Sequence, residues 1–219
     1  FAQLPEAMCT PLNAGGVWDA AACRAAIPLL KNRQAIGMGS GMGPAEDASL
    51  LEAALRADTP LALDADGLNL LSRHRELFAL LHAGVILTPH PGEMARLTEL
   101  PASEITAHPA KTAAEAAESW GCIVLLKGHE SHIAGNGRLI KNISGNPGLS
   151  KGGSGDVLTG LITGLLAQGL SPFDAACAGA YLLGASADRA LSIMGSRMLM
   201  ATDVTAAIAG TLGQIQQSY

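Results

Sequence analysis

The sequence predicts an α/β fold with a mostly parallel central sheet and helices on both faces. Three observations lead there. Short apolar runs alternate with segments of helical periodicity between residues 34 and 127, the pattern of a parallel sheet joined by helical crossovers. The 219 residues are 48% hydrophobic, 15% charged and 3% aromatic, an alanine- and leucine-rich composition that excludes the disordered class. A chain of this length buries about 70% of its unfolded surface as one domain, so it needs no disulfide or metal staple.

The elements follow in order. "QAIGM" (34–38), "PLALD" (60–64), "GVILT" (84–88) and "CIVLLK" (122–127) read as strands. "PAEDASLLEAALRAD" (44–58) reads as a helix, with Pro44 in the first turn and early acids that suit the helix dipole. "GLNLLSRHRELFALL" (67–81) has apolar residues three and four apart, and "HPAKTAAEAAESW" (108–120) is alanine-rich and stops before Gly121. "SHIAG" (131–135) and "RLIKN" (138–142) flank Asn136-Gly137, a two-residue hairpin signal. Beyond the glycine cluster at 145–160 the pattern is helical: 154–168, 172–194 and 202–217. The two last helices pack on the sheet or on a neighbouring subunit, so a homo-oligomer stays open. With no second core, linker or repeat, one domain over 1–219 is expected.

Bulk properties bound the function. A net charge of −5 argues against a nucleic-acid or membrane-surface partner. Cys9, Cys23, Cys122 and Cys177 are scattered without CxxC pairing and read as reduced thiols, which points to the cytoplasm. No apolar run is long enough to span a membrane and no signal peptide is recognisable. The first residue is Phe1 rather than Met, so the sequence reads as a processed, truncated or partial version of something longer. The histidines show no HxxxH or HxH pair, against a zinc site. Met194, Met198 and Met200 read as core filler near a helix end.

Ligands of open α/β sheets sit beyond the carboxyl ends of the strands. Those ends read "GMGSGMG", "LDADGLN", "LTPHPGE" and "LLKGHES", which together line one crevice. No GxxxxGK[ST] loop occurs, and Pro44 replaces the last glycine that GxGxxG requires. The densest signal is "GNPGLSKGGSGDVLTG" (145–160). An apolar helix begins there at Ser154 or Gly155, and its start offers unpaired amides and about half a positive charge. Gly152, Gly153 and Gly155 let those amides surround an anion. Asp156 would repel a phosphate held there unless it serves as the base for a hydroxyl attacking the phosphoryl group. The plainer alternative is a first-turn acid favoured by the helix dipole. Four glycines in the eight preceding positions tip the reading to catalysis.

"NPGLSKGGSGDVLTG", preceded in order by "LDADGLN", "LTPHPGE" and "LLKG", resembles the ADP/ATP-dependent NAD(P)H-hydrate dehydratases, a branch of the ribokinase-like fold. The resemblance runs from about residue 36 to the C-terminus. It implies repair of hydrated NADH or NADPH: Mg²⁺ and ADP or ATP phosphorylate the ring hydroxyl, and phosphate then leaves. Position by position, it makes Asp156 the base and Gly155 its neighbour in the nucleotide and oxyanion site. Lys127, Gly128, His129, Glu130 and Ser131 lie along the adenine nucleotide. His90 contacts the hydrated nicotinamide, and Glu93 is the acid on the metal side. Gly41 and Gly43 belong to the substrate-side glycine turn, where Ser40 replaces the family's usual proline. Asp66 and Asn69 match a motif at the substrate end of a strand. The family's opening strand and its "GGSxGYxGA" turn are lacking, and "LPEAM" (4–8) resembles the approach to a strand just after them.

Alternatives stand beside these readings. His90 also serves as a simple strand terminator between Pro89 and Pro91, and Lys127 as a strand-end lysine reaching solvent. Asp64 and Asp66 suit Mg²⁺ or a helix N-cap, with capping the better reading for Asp66. At the level of function, a small-molecule kinase of the same fold and a non-catalytic nucleotide-binding scaffold compete with the dehydratase.

Overall fold

Six short strands form one sheet in the computed structural model, which describes residues 7–12, 18–194 and 199–217. They are β1 (Ile36–Met38), β2 (Leu61–Leu63), β3 (Val85–Leu87), β4 (Ile123–Leu126), β5 (Ser131–Gly135) and β6 (Arg138–Asn142), neighbours in the sheet in that same order. The pairs from β1 to β4 are parallel, and β4–β5 and β5–β6 are antiparallel. Asn136 and Gly137 take φ of 53° and 71°, the turn that closes β5 onto β6.

Helices α1 (Ala20–Ala26), α2 (Ser49–Leu55), α3 (Ala65–Arg73), α4 (Pro91–Thr98), α5 (Ala102–Ala107) and α6 (Pro109–Trp120) precede the hairpin. Helices α7 (Ser154–Ala167), α8 (Pro172–Met194) and α9 (Ala201–Gln217) follow it. Parallel strands laid down in sequential order by right-handed crossovers place every crossover helix on one face. Alternation along the strands shows this directly. Leu61, Leu63, Val85, Leu87, Val124 and Leu126 pack with residues of α2–α6 such as Leu51, Leu71, Met94 and Ala113. Ala62, Ile86, Ile123, Leu125 and Ile133 face the other way, onto Leu158 and Ile162 of α7, Phe173 and Ala180 of α8 and Val204 of α9. Helices α7 and α8 therefore lie on the sheet and supply its second layer, and α9 packs chiefly on α8.

Several expectations need correction. Pro44 starts no helix: α2 begins at Ser49, and Ala45 is buried against α3 with its carbonyl taken by Arg73. The segment 67–81 is two elements, because His74 (φ −113°, ψ 71°) ends α3 before a 3₁₀ stretch at Arg75–Leu80. Helices α1, α4 and α5 were not anticipated; α4 hides in "HPGE", where Pro91 occupies the first helical turn. Met200 is 56% exposed and fills no core. Met198, the side chain of Met194 and most of "LPEAM" lie outside the described residues. Among the described residues no helix is long and apolar enough to cross a membrane.

Candidate nucleotide and catalytic site

The antiparallel hairpin explains where the site forms. Because β5 runs against β4, Ser131 begins at the sheet edge where Lys127 leaves it, and β6 returns Asn142 to the same edge. The N-terminus of α7 arrives there too. Between them lies a cavity of about 670 Å³ lined by Lys127, Gly128, His129, Ser131, the stretch Asn142 to Lys151 apart from Ile143 and Gly148, and Ser154, Gly155 and Leu158, with Ala180, Leu183 and Gly184 of α8 opposite. His90 and Pro91 close one side.

The anion-binding character comes from α7. Gly153 is its N-cap at φ +91°, a conformation that favours glycine. The first internal bond is Val157 N to Gly153 O, which leaves the amides of Ser154, Gly155 and Asp156 without acceptors in the helix. Asp156, in the first turn, is exposed and is not part of the cavity wall, which takes Ser154, Gly155 and Leu158 from this helix.

Beneath this helix end lies a charge cluster joining three strand ends. Lys127 Nζ is 2.7 Å from Asp64 Oδ1 and 3.7 Å from Glu93 Oε2. Asp64 and Glu93 are both buried. Asp64 Oδ2 also accepts from Thr159 Oγ1 at 3.1 Å, tying β2 to α7. A side chain at Gly155 would crowd this cluster: a Cβ would stand 3.0 Å from Asp64 Oδ2 and 3.5 Å from Lys127 Nζ. Asp64 stands at the N-cap of α3 but caps nothing with its side chain, and neither does Asp66. Instead Asp66 Oδ2 accepts from Gly43 N at 2.8 Å, and Asn69 lies between Asp66 (3.5 Å) and Arg96 Nε (2.9 Å). The capping reading of Asp66 is thus replaced by a tether on the glycine turn.

His90 ends no strand: it caps α4. Its Nδ1 accepts from Gly92 N at 2.9 Å and Glu93 N at 3.2 Å, while Glu93 Oε2 accepts from His90 N at 2.8 Å. The reciprocal box fixes the His90 ring with Nδ1 as acceptor and Nε2 as donor. Among the expected nucleotide residues, Glu130 turns to Lys141 (3.1 Å) and, like Gly152 and Gly153, is not part of the cavity wall. Gly41 and Gly43 follow β1 and Asn69 lies within α3, none of them in the cavity wall. Sequence reasoning missed Asn142, Ser144 and Asn146 as wall residues and Thr159 as the partner of Asp64; Asn146 and Thr159 both stood inside the quoted 145–160 motif, but nothing local marked their partners.

A mostly parallel sheet with a glycine-led helix N-terminus over a lysine at the carboxyl edge defines the ribokinase-like class. A ribokinase-like superfamily protein from Enterococcus faecalis V583 superposes with a TM-score of 0.78 over 97% of this chain and 72% of its own, at 27% identity. The chain belongs to the NAD(P)H-hydrate dehydratase family, whose model matches residues 1–209. A bifunctional NAD(P)H-hydrate repair enzyme from Moorella thermoacetica is 44% identical over 78% of this chain and 32% of its own length. An ADP-dependent (S)-NAD(P)H-hydrate dehydratase from Neisseria meningitidis serogroup B is 42% identical over 72% of this chain and 54% of its own. The crystal structure of the ADP/ATP-dependent NAD(P)H-hydrate dehydratase from Bacillus subtilis, co-crystallised with ATP/Mg²⁺ and soaked with CoA, matches with a TM-score of 0.74 at 32% identity. It covers 83% of this chain and 66% of its own. The chain therefore spans between a third and about half the length of these curated relatives.

Proposed function

We propose that this chain, as one domain, carries the dehydratase reaction of nicotinamide cofactor repair, taking ADP or ATP as phosphoryl donor and hydrated NADH or NADPH as acceptor. The observation that carries the reading is the meeting of the α7 amides and Lys127 at one end of the 670 Å³ cavity, with Asp156 exposed in the same first turn just outside its wall. The cavity is large enough for an adenine nucleotide along Lys127–Ser131. Its phosphates lie toward Ser154 and Gly155, where three unpaired amides and the helix dipole meet negative charge. Asp156 takes the proton from the ring hydroxyl as that oxygen attacks the terminal phosphorus. The donor leaves as AMP from ADP, or as ADP from ATP. Phosphate then departs with the electrons of the C–O bond, the neighbouring ring carbon gives up a proton, and the reduced nicotinamide is restored.

Among the described residues no group of three His, Cys, Asp or Glu side chains could enclose a metal. That suits Mg²⁺, which takes one or two carboxylates and completes its shell with phosphate oxygens and water. The family resemblance makes Glu93 the carboxylate on the metal side, although it is buried, accepts from His90 N and faces Lys127; Mg²⁺ held there with the nucleotide would neutralise phosphate charge. Asp64 is already committed to Lys127 and Thr159. His90 lines the cavity and supports the substrate end through its Nε2, which lies 3.5 Å from Glu93 Oε1. The four cysteines are all free thiols, in keeping with a cytoplasmic protein.

The test supplies Mg²⁺ and ADP or ATP with hydrated NADH and follows recovery of the reduced-nicotinamide absorbance. Asp156→Asn should lower kcat by about 10²–10⁴ while ADP still binds. Parent-level turnover in that variant removes the base assignment. Stable phosphorylation of a sugar or vitamin-precursor hydroxyl, without action on the hydrate, makes the chain a kinase of the same fold instead.

A further inference from the structure

Between Asn142 and Ser150 the cavity wall has no regular structure apart from the short turn Pro147–Leu149. Such a loop has little stiffness of its own, so whatever anchors it sets the cavity's shape. The anchors come from one face of α8, at positions 180, 181, 184 and 188. Asn142 Nδ2 donates to Ala180 O at 3.4 Å, and Ser144 Oγ donates to Tyr181 O at 3.1 Å. At Gly184 the backbones meet so closely that a Cβ would stand 2.1 Å from Ser144 Oγ. The last anchor is charged. Asp188 Oδ2 accepts from Gly145 N and Asp188 Oδ1 from Asn146 Nδ2, both at 2.9 Å. Held this way, Asn146 turns its Oδ1 to Gly148 N at 3.0 Å and caps the Pro147–Leu149 turn.

We infer that Asp188 is a positioning residue for nucleotide binding. It is not itself a wall residue, yet it holds Gly145 and Asn146, the two wall residues that lead into the Pro147–Leu149 turn. The residue type matters. Two N–H donors converge on it, and only an acceptor-only carboxylate receives both; an asparagine there would present its own N–H to one of them. The identity of the nucleotide as the phosphoryl donor rests on the function proposed above.

The test compares Asp188→Ala, Asp188→Asn and Asn146→Ala with the parent by amide hydrogen exchange without ligand and by calorimetric titration with ADP. Asp188→Ala should speed exchange across 143–149 about ten-fold or more, leaving β4 and the body of α7 unchanged, and should raise the Kd for ADP about ten-fold. Asp188→Asn, which keeps one of the two bonds, should fall between it and the parent. Adding Asn146→Ala to Asp188→Ala should raise the Kd by less than the product of the two single effects, since both cut the Asp188–Asn146 bond while Asn146→Ala also removes the cap on Gly148 N. At saturating ADP, the kcat of Asp188→Ala should stay within about two-fold of the parent. Unchanged exchange in Asp188→Ala overturns the anchor. Faster exchange with an unchanged Kd, or a loss in kcat with no change in Kd, overturns the positioning role while leaving the donor site standing. A parent that binds no ADP overturns both the nucleotide role and that site.

Discussion

Replacing Lys127 by methionine keeps most of the side-chain bulk and deletes the ammonium between two buried carboxylates. The side chains of Asp64 and Glu93 are 2% and 7% exposed, so neither regains water when the charge is lost. Asp64 would keep one donor, Thr159 Oγ1, which Gly155 O also draws on at 3.0 Å. Glu93 would keep the amide of His90. Stranding a buried charge by removing its partner costs about 3–5 kcal/mol. Lys127 is 22% exposed, which places this case near the lower end, at about 3 kcal/mol. Asp64→Asn strands less: the ammonium keeps some solvent and still faces Glu93, for a loss of about 1–2 kcal/mol. The double variant Asp64→Asn/Lys127→Met removes one carboxylate along with the ammonium, so it should be more stable than Lys127→Met alone by about 1–2 kcal/mol. Urea unfolding at pH 7, followed by far-ultraviolet circular dichroism, reads the differences. With a slope of roughly 2–3 kcal/mol/M, Lys127→Met should lower the midpoint by about 1–1.5 M. A midpoint equal to the parent's, or a double variant in which the two losses simply add, would refute the reasoning.

Gly39→Ala should destabilise by about 3 kcal/mol or more, seen as a fall in Tm of roughly 6–12 °C, because φ is +122° and a Cβ would meet the backbone oxygen of Asp64 at 1.8 Å. A Tm within 2 °C or so of the parent would contradict that packing. Burial pushes the Cys122 thiol up to about 12 from an ordinary 9.0. At pH 8 in native buffer a thiol reagent should therefore modify exposed Cys9 quickly and reach Cys122 only after denaturation. The same shift has a stability consequence. The folded thiol ionises later than the unfolded one, so its contribution is intact below about pH 9 and is lost progressively as pH rises toward 12; a Cys122→Ala variant should show a flatter decline over that window.

Much of the fold was legible in local pattern. Short apolar runs marked all six strands to within two residues, and the Asn136-Gly137 turn marked the hairpin, because strand burial and positive φ leave direct traces in residue type. The glycine cluster placed the start of α7 at Ser154 for the same reason. Helix α4 escaped because its first turn is made of a cap histidine, a proline and a glycine, which read as turn chemistry until the capping box is seen. Asp66 was read as a cap because Asp prefers that position, yet a long-range partner, the amide of Gly43, claimed it.

The sequence alone determined which elements form and where an anion-binding helix end begins, since both depend on residues within a turn or two of each other. It also determined the family, through motifs held in a fixed order. Tertiary structure decided the rest. Only the folded chain puts Asp64, Glu93 and Lys127 in one cluster, brings Thr159 to Asp64 across 95 positions, and folds Asn142–Ser150 under α8 as the wall of a cavity. These contacts join segments far apart in sequence, and a residue's type records what it can bond but not which distant partner the crossovers will bring to it.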